Sequence, residues 1–307
     1  MSRLCIAVLG GTGFVGHSLS ERLVMAGHEV RILTRHRERH RDFLVLPGAQ
    51  VIEADVHNPA VLKREFQGLD AVVNLVGILN ESGRNGKGFE RAHAELPAKV
   101  VQACRQSGVT RLLHMSALHA SPEGPSHYLR SKGRGEQIVH DAESNTLHVT
   151  SFRPSVIFGP RDSFTNRFAG LLRQVPLVFP LACASARLQP VYVEDVAQAF
   201  VLALDRHATF GKRYNLCGPQ AYSLREIVAY LARQLGLKRH ILPLNDTLSY
   251  MQAAVLQFAP GKPFTLDNYR SLQVPSVCDA PFPAIFGLTP GRFDEIVPTY
   301  IPRITHK

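Results

Sequence analysis

The feature that most constrains how this chain folds is a glycine-rich segment, Gly10–Gly16, near its N-terminus. The segment follows a short apolar run, Leu4–Leu9, and leads into a helical pattern over Ser18–Ala26. Its glycines at positions 10, 13 and 16 have the spacing of a strand-to-helix turn that holds a pyrophosphate on backbone N–H groups and a helix N-terminus. The sequence contains no Gly-Lys-Ser or Gly-Lys-Thr, which excludes a Walker P-loop. The segment therefore predicts a dinucleotide-binding fold.

Short apolar runs alternate with helical patterns through the first half of the chain. After the first run, the predicted strands are Glu29–Thr34, Gln50–Ala54, Ala71–Val76, Arg111–Met115 and Leu147–Phe152. The predicted helices between them are Val61–Gln67, Ala94–Ser107 and Tyr128–Ala142. Such alternation is typical of right-handed βαβ units. We predict an α/β fold, a doubly wound parallel sheet (Rossmann fold) with a smaller C-terminal substrate-side region.

The alternation loosens after about Gly159, and prolines recur from Leu242 onward. Asp195 is expected to be the N-cap of a helix in this region. Further helices are predicted at Phe164–Arg173, Leu224–Leu235, Thr247–Phe258 and Pro290–Ile296. We predict a dinucleotide-binding domain over 1–159, to which elements return from about 188–216, and a substrate-side region over 160–307.

The chain is strongly basic, with 35 Lys and Arg against 25 Asp and Glu, a net charge of +10 and a pI of about 9.6. Such an excess suits nucleic acid, an anionic membrane surface or an anionic small ligand. It is spread over both halves of the sequence, with no basic arm and no zinc-finger or RNP-type motif. We therefore expect no nucleic acid partner.

The cysteines and the apolar runs bear on the compartment. The five cysteines form no CxxC pair and their number is odd, so we expect a reducing compartment and no disulfide framework. The N-terminus resembles no signal or transit peptide, and no apolar stretch approaches the roughly 18 residues of a membrane span. The run Val175–Ala186 is expected to pack in the core, with a cavity lip or a membrane-facing loop as alternatives. We expect a cytoplasmic protein, with a peripheral position on the inner face of the membrane left open.

The end of the second predicted strand bears on the choice of cofactor. An NAD site normally offers Asp or Glu there to the adenosine ribose, whereas this chain has Arg35. A guanidinium suits a 2′-phosphate, and Arg37 and Arg39 add positive charge nearby. A solvated basic helix start is the alternative. We predict NADP(H) as the preferred cofactor, with NAD(H) left open.

Two further strand ends are expected to meet the cofactor. Asp55-Val56 follows the third strand, where the Asp55 carboxylate is placed to accept from the adenine amine or, alternatively, to cap a turn. Val76-Gly77 follows the fourth strand, where small residues line the cofactor or a buried strand simply ends. The residues expected to bind the cofactor up to this point are Gly10, Gly13, Phe14, Val15, Gly16, Arg35, Asp55, Val56, Val76 and Gly77.

A phenol, an ammonium and a hydroxyl form the candidate catalytic set. Tyr128 and Lys132 lie four apart on a predicted helix and so share one face. Ser116 lies at the end of the fifth predicted strand, at the edge where doubly wound sheets bind ligands. We expect Lys132 to lower the pKa of Tyr128 and to hold the nicotinamide ribose. Tyr128 is then the proton donor or acceptor, and Ser116 orients the reacting oxygen. The fourteen histidines show no HExxH or paired spacing, so no metal site is expected.

These motifs resemble the short-chain dehydrogenase/reductase superfamily in its extended or atypical form. More narrowly, the chain resembles the NADPH-binding accessory subunit of respiratory complex I and its bacterial relatives. The stretches that carry the resemblance are Gly10–Gly16, Asn74–Gly77, Ser126–Glu136, Arg153–Gly159, Phe164–Phe168, Gln189–Ala197 and, more weakly, Phe264–Asn268.

The resemblance implies a function and two alternatives. In the superfamily Ser116, Tyr128 and Lys132 would be catalytic, and Pro154 and Val156 would lie beside the nicotinamide. The chain would then transfer a hydride between NADP(H) and an unidentified carbonyl, alcohol or quinone-like substrate. In the accessory subunit the NADPH is structural, which implies a non-catalytic assembly or regulatory protein near a respiratory complex or an anionic lipid surface. Sugar-nucleotide epimerase/dehydratase chemistry with NAD is the second alternative.

Overall fold

The structure is a computed structural model that describes residues 3–40, 43 and 45–304. The chain forms two compact units: the first comprises 1–153 and 194–214, and the second comprises 154–193 and 215–307. The strands are β1 Cys5–Leu9, β2 Glu29–Thr34, β3 Ala49–Glu53, β4 Ala71–Asn74, β5 Arg111–Met115, β6 His148–Pro154, β7 Ile157–Phe158, β8 Val178–Leu181, β9 Arg187–Leu188, β10 Val191–Tyr192, β11 Lys212–Leu216, β12 Tyr222–Ser223 and β13 His240–Pro243. The helices are α1 Phe14–Met25, α2 Pro59–Glu65, α3 Lys87–Glu90, α4 Leu96–Ser107, α5 His127–His140, α6 Thr165–Gln174, α7 Val193–Ala203, α8 Leu224–Gln234, α9 Asp246–Leu256, α10 Leu266–Leu272 and α11 Phe293–Ile296.

One seven-stranded sheet, in the order β11-β6-β5-β4-β1-β2-β3, organises the fold. The pairs from β3 to β6 are parallel. Every residue of β4 and of β5 is buried, as expected for strands covered on both faces. The strand order reverses between β1 and β4, and such a switch point is where open α/β sheets bind ligands. The predicted α/β class and doubly wound sheet are confirmed.

The core of the first unit follows from the predicted periodicity. Apolar residues of the central strands pack against those of α2, α4 and α5 in one buried cluster that includes Ala7, Leu9, Leu62, Val72, Val100, Cys104, Leu112, Val139 and Val149. The predicted strands agree with the observed ones to within two residues at each end. The helix α1 begins earlier than predicted, at Phe14, because its N-cap is Gly13 and the last glycine of the segment, Gly16, already lies in its first turn.

A buried arginine ties the returning segment 194–214 to the sheet. Arg111 at the start of β5 donates to the Ala203 carbonyl at 2.9 Å and to the hydroxyls of Thr150 and Thr209 at 2.7 and 2.9 Å. Its guanidinium also lies 4.5 Å from the centre of the Phe210 ring. The same group thus satisfies a carbonyl at the end of α7, a place where helices leave carbonyls unpaired.

One prediction about α7 is wrong. Asp195 was expected to be the N-cap, but the helix begins at Val193, directly after β10, and Asp195 lies inside its first turn. The strand β10 passes directly into the helix. Within the first turn the carboxylate still lies near the positive end of the helix dipole.

In the described part of the second unit the strands form three two-stranded sheets, β7/β10, β9/β12 and β8/β13. The helix α8 buries Leu224, Ile227, Val228 and Leu231 against its core, and Ser223 and Glu226 form a capping box at its start. No helix within residues 3–40, 43 and 45–304 has the length and apolar composition needed to cross a bilayer.

The expectation of no disulfide is corrected, because Cys217 and Cys278 are bonded with their Cα atoms 6.1 Å apart. Contacts between distant segments bring the two cysteines together, and sequence spacing does not show them. Ser276 forms a β-bridge with Leu188. The Gln189 side-chain amide links the segments that contain the two cysteines, because it donates to the Gly218 carbonyl at 2.6 Å and accepts from the Cys278 N–H at 2.9 Å.

The close contact at Gly16 predicts a large effect of a small substitution. A β-carbon at Gly16 would lie 2.2 Å from the Gly10 carbonyl oxygen, so backbone would have to move. We expect Gly16→Ala to lower the free energy of unfolding by about 1–3 kcal/mol or more. The matched control is Gly170→Ala in α6, where a β-carbon would meet nothing within 4 Å and the change should stabilise by about 0.5–1 kcal/mol. Urea denaturation measures both; an unchanged Gly16→Ala variant would contradict the packing.

Candidate cofactor and catalytic site

The glycine segment forms a cradle for an anion at the start of α1. Gly10 has φ of +77°, and a β-carbon there would lie 3.2 Å from the Val76 nitrogen. The Gly13 N–H donates to the Gly10 carbonyl at 3.0 Å, which closes the turn. The N-cap Gly13 offers no side-chain cap, and the first turn of α1 holds no acidic residue. The positive end of the helix is therefore uncompensated by side chains, which fits a pyrophosphate on the N–H groups of Phe14 and Val15.

A cavity of about 720 Å³ opens beside the ends of β2 and β3. It brings together the predicted Arg35 and Asp55, and it adds Arg91, a second cation that sequence reasoning missed. The other residues that line it are Glu53, Ala54, His57, Ile78, Ser82, Gly88 and Ala92. The Glu53 carboxylate accepts from the Arg37 N–H at 3.1 Å, so an acidic group also borders the cavity.

The structure places the two residues of the predicted pair Asp55-Val56 in different environments. The exposed Asp55 carboxylate borders the cavity, and one of its oxygens accepts from the His57 N–H at 2.9 Å, as in the turn-capping alternative. The Val56 side chain is buried and packs in the core of the first unit. Its contact with a ligand is therefore confined to the backbone.

The fourth strand end brings Gly77 against Lys132. A β-carbon at Gly77 would lie 3.1 Å from the Lys132 Nζ, so glycine leaves room for the ammonium to approach the backbone. Beside it, the Val76 N–H donates to the Asn74 side chain at 3.2 Å. The glycine segment, Val76 and Gly77 thus lie at one edge of the sheet, as predicted from their positions after β1 and β4.

Lys132 is a charged group in a buried place. Its ammonium donates to the Met115 carbonyl at the end of β5 at 3.0 Å, and the residue is only 4% exposed. Burial lowers the pKa of Lys132 to about 8, and Glu136 one turn further along α5 opposes this shift. An ammonium has three donors, so the one bond to Met115 leaves capacity for a ligand.

Tyr128 contradicts the expected effect of Lys132 on its pKa. The ring packs edge-on against Phe89 and His93, with centroids 6.1 and 5.5 Å away. Burial raises the pKa of Tyr128 to about 12, where the sequence predicted a lowering by Lys132. Burial of the ring is the cause of this shift, and the phenol therefore keeps its proton at neutral pH.

His93 is a buried partner of Tyr128 that sequence reasoning missed. It lies in a π-helical turn, Arg91–Glu95, between α3 and α4. Its Nε2 accepts from the Ile78 N–H at 3.0 Å, so Nδ1 carries the proton and donates to the Ser131 hydroxyl at 2.9 Å. That hydroxyl donates to the Tyr128 carbonyl at 3.0 Å. Burial, with a smaller effect of Lys132, lowers the pKa of His93 to about 2, so the ring is neutral.

Ser116 is held by a buried carboxylate that was also missed. Its hydroxyl donates to Glu136 at 2.9 Å, and Glu136, 2% exposed, further accepts from Arg153 at 2.9 Å and Arg213 at 3.1 Å. The hydrogen that we expected to orient a reacting oxygen is thus directed to Glu136, and the hydroxyl lone pairs remain. The signal for Glu136 was present, since Tyr128, Lys132 and Glu136 follow each other at intervals of four on one helix face.

The last two predicted cofactor residues belong to the second unit. Pro154 ends β6 and is buried, and Val156 is half-buried against the core of that unit. Between them the Ser155 hydroxyl donates to the Ser276 carbonyl at 2.7 Å, which fixes the backbone.

The sequence profile of the NAD dependent epimerase/dehydratase family matches residues 6–217, which include the glycine segment and the Tyr128–Lys132 spacing. The chain belongs to this family. Membership confirms the predicted nucleotide-binding fold, and the similarity to complex I subunits and bacterial reductases is confirmed by individual relatives.

Among the relatives, subunit 9 of the NADH dehydrogenase [ubiquinone] 1 alpha subcomplex from Rattus norvegicus is 32% identical over 292 residues, 93% of this chain and 76% of that protein. The Mus musculus subunit is 32% identical over 237 residues, 75% of this chain, and the match spans only 61% of the mouse protein. A ceramide reductase from Caulobacter vibrioides is 29% identical over 249 residues, 80% of this chain and 75% of the reductase. Among solved structures, Thermus thermophilus UDP-glucose 4-epimerase in complex with NAD has a TM-score of 0.65 at 23% identity, over 87% of this chain and 99% of the other.

The buried neutral histidines predict sensitivity to acid. An unfolded histidine titrates near pH 6.5, while burial holds the pKa of His93 near 2 and that of His114 well below its usual value. Below about pH 6.5 the unfolded chain binds protons that the folded chain does not. We expect the free energy of unfolding to fall by up to about 1.4 kcal/mol per pH unit for each such residue as the pH drops toward about 4. Urea denaturation at several pH values in this range gives the free energy of unfolding at each pH. This free energy should fall less steeply with decreasing pH in His93→Gln than in the parent; an identical pH dependence would contradict the assignment.

Proposed function

We propose that this chain is a reductase that binds NADP(H) along the ends of β1 to β5 and protonates a carbonyl oxygen through Tyr128. The observation that carries the proposal is the buried Lys132 ammonium at the strand ends, one helical turn from a phenol that stays protonated at neutral pH. Burying a charge lowers the stability of the fold, and buried charged groups of this kind cluster at functional sites, where they interact with a ligand.

Different residues of the chain bind different parts of the cofactor. The N–H groups at the start of α1 hold the pyrophosphate, and Lys132 donates to the nicotinamide ribose hydroxyls alongside its bond to Met115. Asp55 accepts from the adenine amine with its second oxygen. The backbone at Val56, Val76 and Gly77 lines the cofactor, and Pro154 and Val156 are proposed to lie beside the nicotinamide. When bound, the cofactor supplies the hydride.

The proton chemistry favours reduction over oxidation. A phenol whose pKa is raised to about 12 keeps its proton at neutral pH, so Tyr128 has a proton to give and is not in the phenolate form that would act as a base. The alkoxide that forms when a hydride reaches a carbonyl carbon is a stronger base than a phenolate and takes this proton. The Ser131 bond to its backbone carbonyl, supported by His93, holds this turn of α5 in place. Ser116 can accept a hydrogen bond from the hydroxyl of the alcohol product, since its own hydrogen is directed to Glu136 and is not available to the carbonyl oxygen. Relatives named as reductases support this direction.

Two cations in one cavity support NADP(H) over NAD(H). Arg35 and Arg91 both line the cavity beside β2 and β3, and a guanidinium pairs well with the 2′-phosphate. Glu53 in the same cavity supports the alternative, since a carboxylate accepts from a 2′-hydroxyl. One of its oxygens is already engaged by the Arg37 N–H, which favours the phosphate.

A non-catalytic role near a respiratory complex is the second candidate. Two observations favour it: the Ser116 hydrogen is bound to Glu136, and the Tyr128 ring is packed between Phe89 and His93. The mitochondrial NADH dehydrogenase subunits among the relatives support it as well. In this role NADPH stabilises the fold without turnover, and the basic surface meets an acidic partner or anionic lipid at the inner face of a membrane. Inertness of bound NADPH toward carbonyl and quinone panels would favour it.

Removing the phenol hydroxyl tests the assigned proton role. We expect Tyr128→Phe to lower kcat for reduction of a carbonyl substrate by about 10²-fold or more, because the proton donor is lost. NADPH affinity should be unchanged. The matched control is Tyr214→Phe, whose exposed hydroxyl donates to the Ala208 carbonyl at 3.4 Å and should not matter. Turnover equal to that of the parent in Tyr128→Phe would refute the role.

Reversing the charge at the ribose end tests the cofactor preference. We expect Arg35→Asp to weaken NADPH binding by about 10–100-fold, the effect of one lost charged hydrogen-bond pair, and to leave NADH binding unweakened. Arg39→Asp makes the same change of charge in the same basic run, outside the lining of the cavity, and should leave the ratio of affinities near that of the parent. Calorimetric titration measures each Kd. Equal Kd values for NADPH and NADH in the parent would contradict the preference.

A further inference from the structure

A surface of the second unit exposes large apolar side chains that neither its core nor the cofactor site uses. These side chains are called the apolar surface below, and each is at least 43% exposed: Leu177, Val178, Leu242, Leu248, Met251, Val255 and Phe258. We propose that the apolar surface docks on an anionic lipid bilayer. This goes beyond the reductase function and does not depend on it.

The helix α9 exposes large apolar residues and buries small ones, the reverse of a typical amphipathic surface helix. It buries the small residues Ser249 and Ala253, and the Ser249 hydroxyl accepts from the Cys183 N–H at 3.1 Å. The residues Leu248, Met251 and Val255, spaced by three and four, form a stripe that is 46%, 56% and 68% exposed. A contiguous exposed apolar stripe on a folded chain marks a surface that binds something apolar.

The two-stranded sheet beside α9 continues the apolar surface. The pairs Val178↔His240 and Pro180↔Leu242 expose their side chains, while Phe179 and other alternating residues are buried. Leu177 begins this face and is 75% exposed. It has φ of +56°, with a hydrogen bond of 2.7 Å from the Val178 N–H to the Pro176 carbonyl that makes a γ-turn. The strand β13 runs into α9 with two residues between them, so sheet and helix are neighbours on the surface.

The charged residues within the two segments that form the sheet are all basic, and Asp246 at the start of α9 is the first acidic residue after the second segment. The segments 163–181 and 227–245, which contain β8, β13 and their flanks, hold no Asp or Glu. They hold five cations: Arg167, Arg173, Arg233, Lys238 and Arg239. Arg173 and Lys238 are exposed; Arg173 is four residues before Leu177, and Lys238 is two residues before His240, which pairs with Val178. Aliphatic side chains bordered by cations are typical of elements that lie in the headgroup region of anionic membranes.

This composition favours lipid over a protein partner. Protein interfaces are enriched in Tyr, Trp, Phe, Met and Arg at their centre, whereas five of the seven members of the apolar surface are Leu or Val. Without a membrane-spanning helix in the described part of the chain, binding of this kind lies in the plane of the headgroups.

Vesicle sedimentation with the full chain, without cofactor, tests the proposal. The probes are phosphatidylcholine vesicles and vesicles that also contain phosphatidylserine. We expect the chain to sediment with the phosphatidylserine vesicles and to be released by high salt, because screening weakens the cationic contribution. Sedimentation with neither kind of vesicle would overturn the proposal.

Matched variants locate the contact. We expect Met251→Ser combined with Val255→Ser to weaken vesicle binding by at least about tenfold through lost apolar burial. Met25→Ser, at an 83% exposed methionine of the first unit, should have no effect. Lys238→Gln should weaken binding by about fivefold, and Lys63→Gln, an exposed lysine of α2 with the same change of charge, should not.

Two further results would overturn the proposal. One is equal loss of binding in Lys63→Gln and Lys238→Gln, which would indicate attraction by net charge alone. The other is a dimer that dissociates in the Met251→Ser, Val255→Ser variant while the parent ignores vesicles, which would assign the apolar surface to a second copy. NADPH titration of each variant shows that it is folded, and it keeps a failure of the surface separate from a failure of the cofactor site.

Discussion

The contact between the first turn of α1 and the backbone of Gly10 sets the geometry of the whole site. No side chain fits at Gly16, because a β-carbon would lie 2.2 Å from the Gly10 carbonyl oxygen. The helix can therefore start after a turn of only four residues beyond β1, with its N–H groups at the edge of the sheet where β4 and β5 also end. Gly77 follows β4, and the Lys132 ammonium is bonded to the end of β5, so both lie along the same edge of the sheet as the start of α1.

One face of α5 carries the candidate proton donor of the site and two buried charged residues. Tyr128, Lys132 and Glu136 follow each other turn by turn, and the two charged residues are buried. Each charge has its own compensation: Lys132 has the Met115 carbonyl, and Glu136 has two arginines and the Ser116 hydroxyl. Glu136 is fully used within the fold, whereas Lys132 retains donors. This asymmetry suggests that the lysine serves a ligand and the glutamate holds the surrounding strand ends together.

The sequence predicted what depends on local pattern. The strands from β1 to β6 and the helices between them follow from apolar periodicity, and the Tyr128 and Lys132 pair follows from helical spacing. What it missed depends on contacts between distant segments. His93 is hydrogen-bonded to Ser131 of α5, Arg91 lines the same cavity as Arg35, and Cys217 is bonded to Cys278, 61 residues further along the chain. The predicted lowering of the Tyr128 pKa was wrong because spacing shows a nearby lysine but not the desolvation around the ring.

The central claim is that the start of α1 binds the pyrophosphate, and Lys132 the nicotinamide ribose, of one dinucleotide. A crystal structure of the chain with NADPH tests this most directly. The account predicts pyrophosphate oxygens within hydrogen-bond distance of the N–H groups of Gly13 to Val15 and a ribose hydroxyl on the Lys132 Nζ. A pyrophosphate placed away from α1, or a Lys132 that contacts only the Met115 carbonyl with cofactor bound, would contradict it.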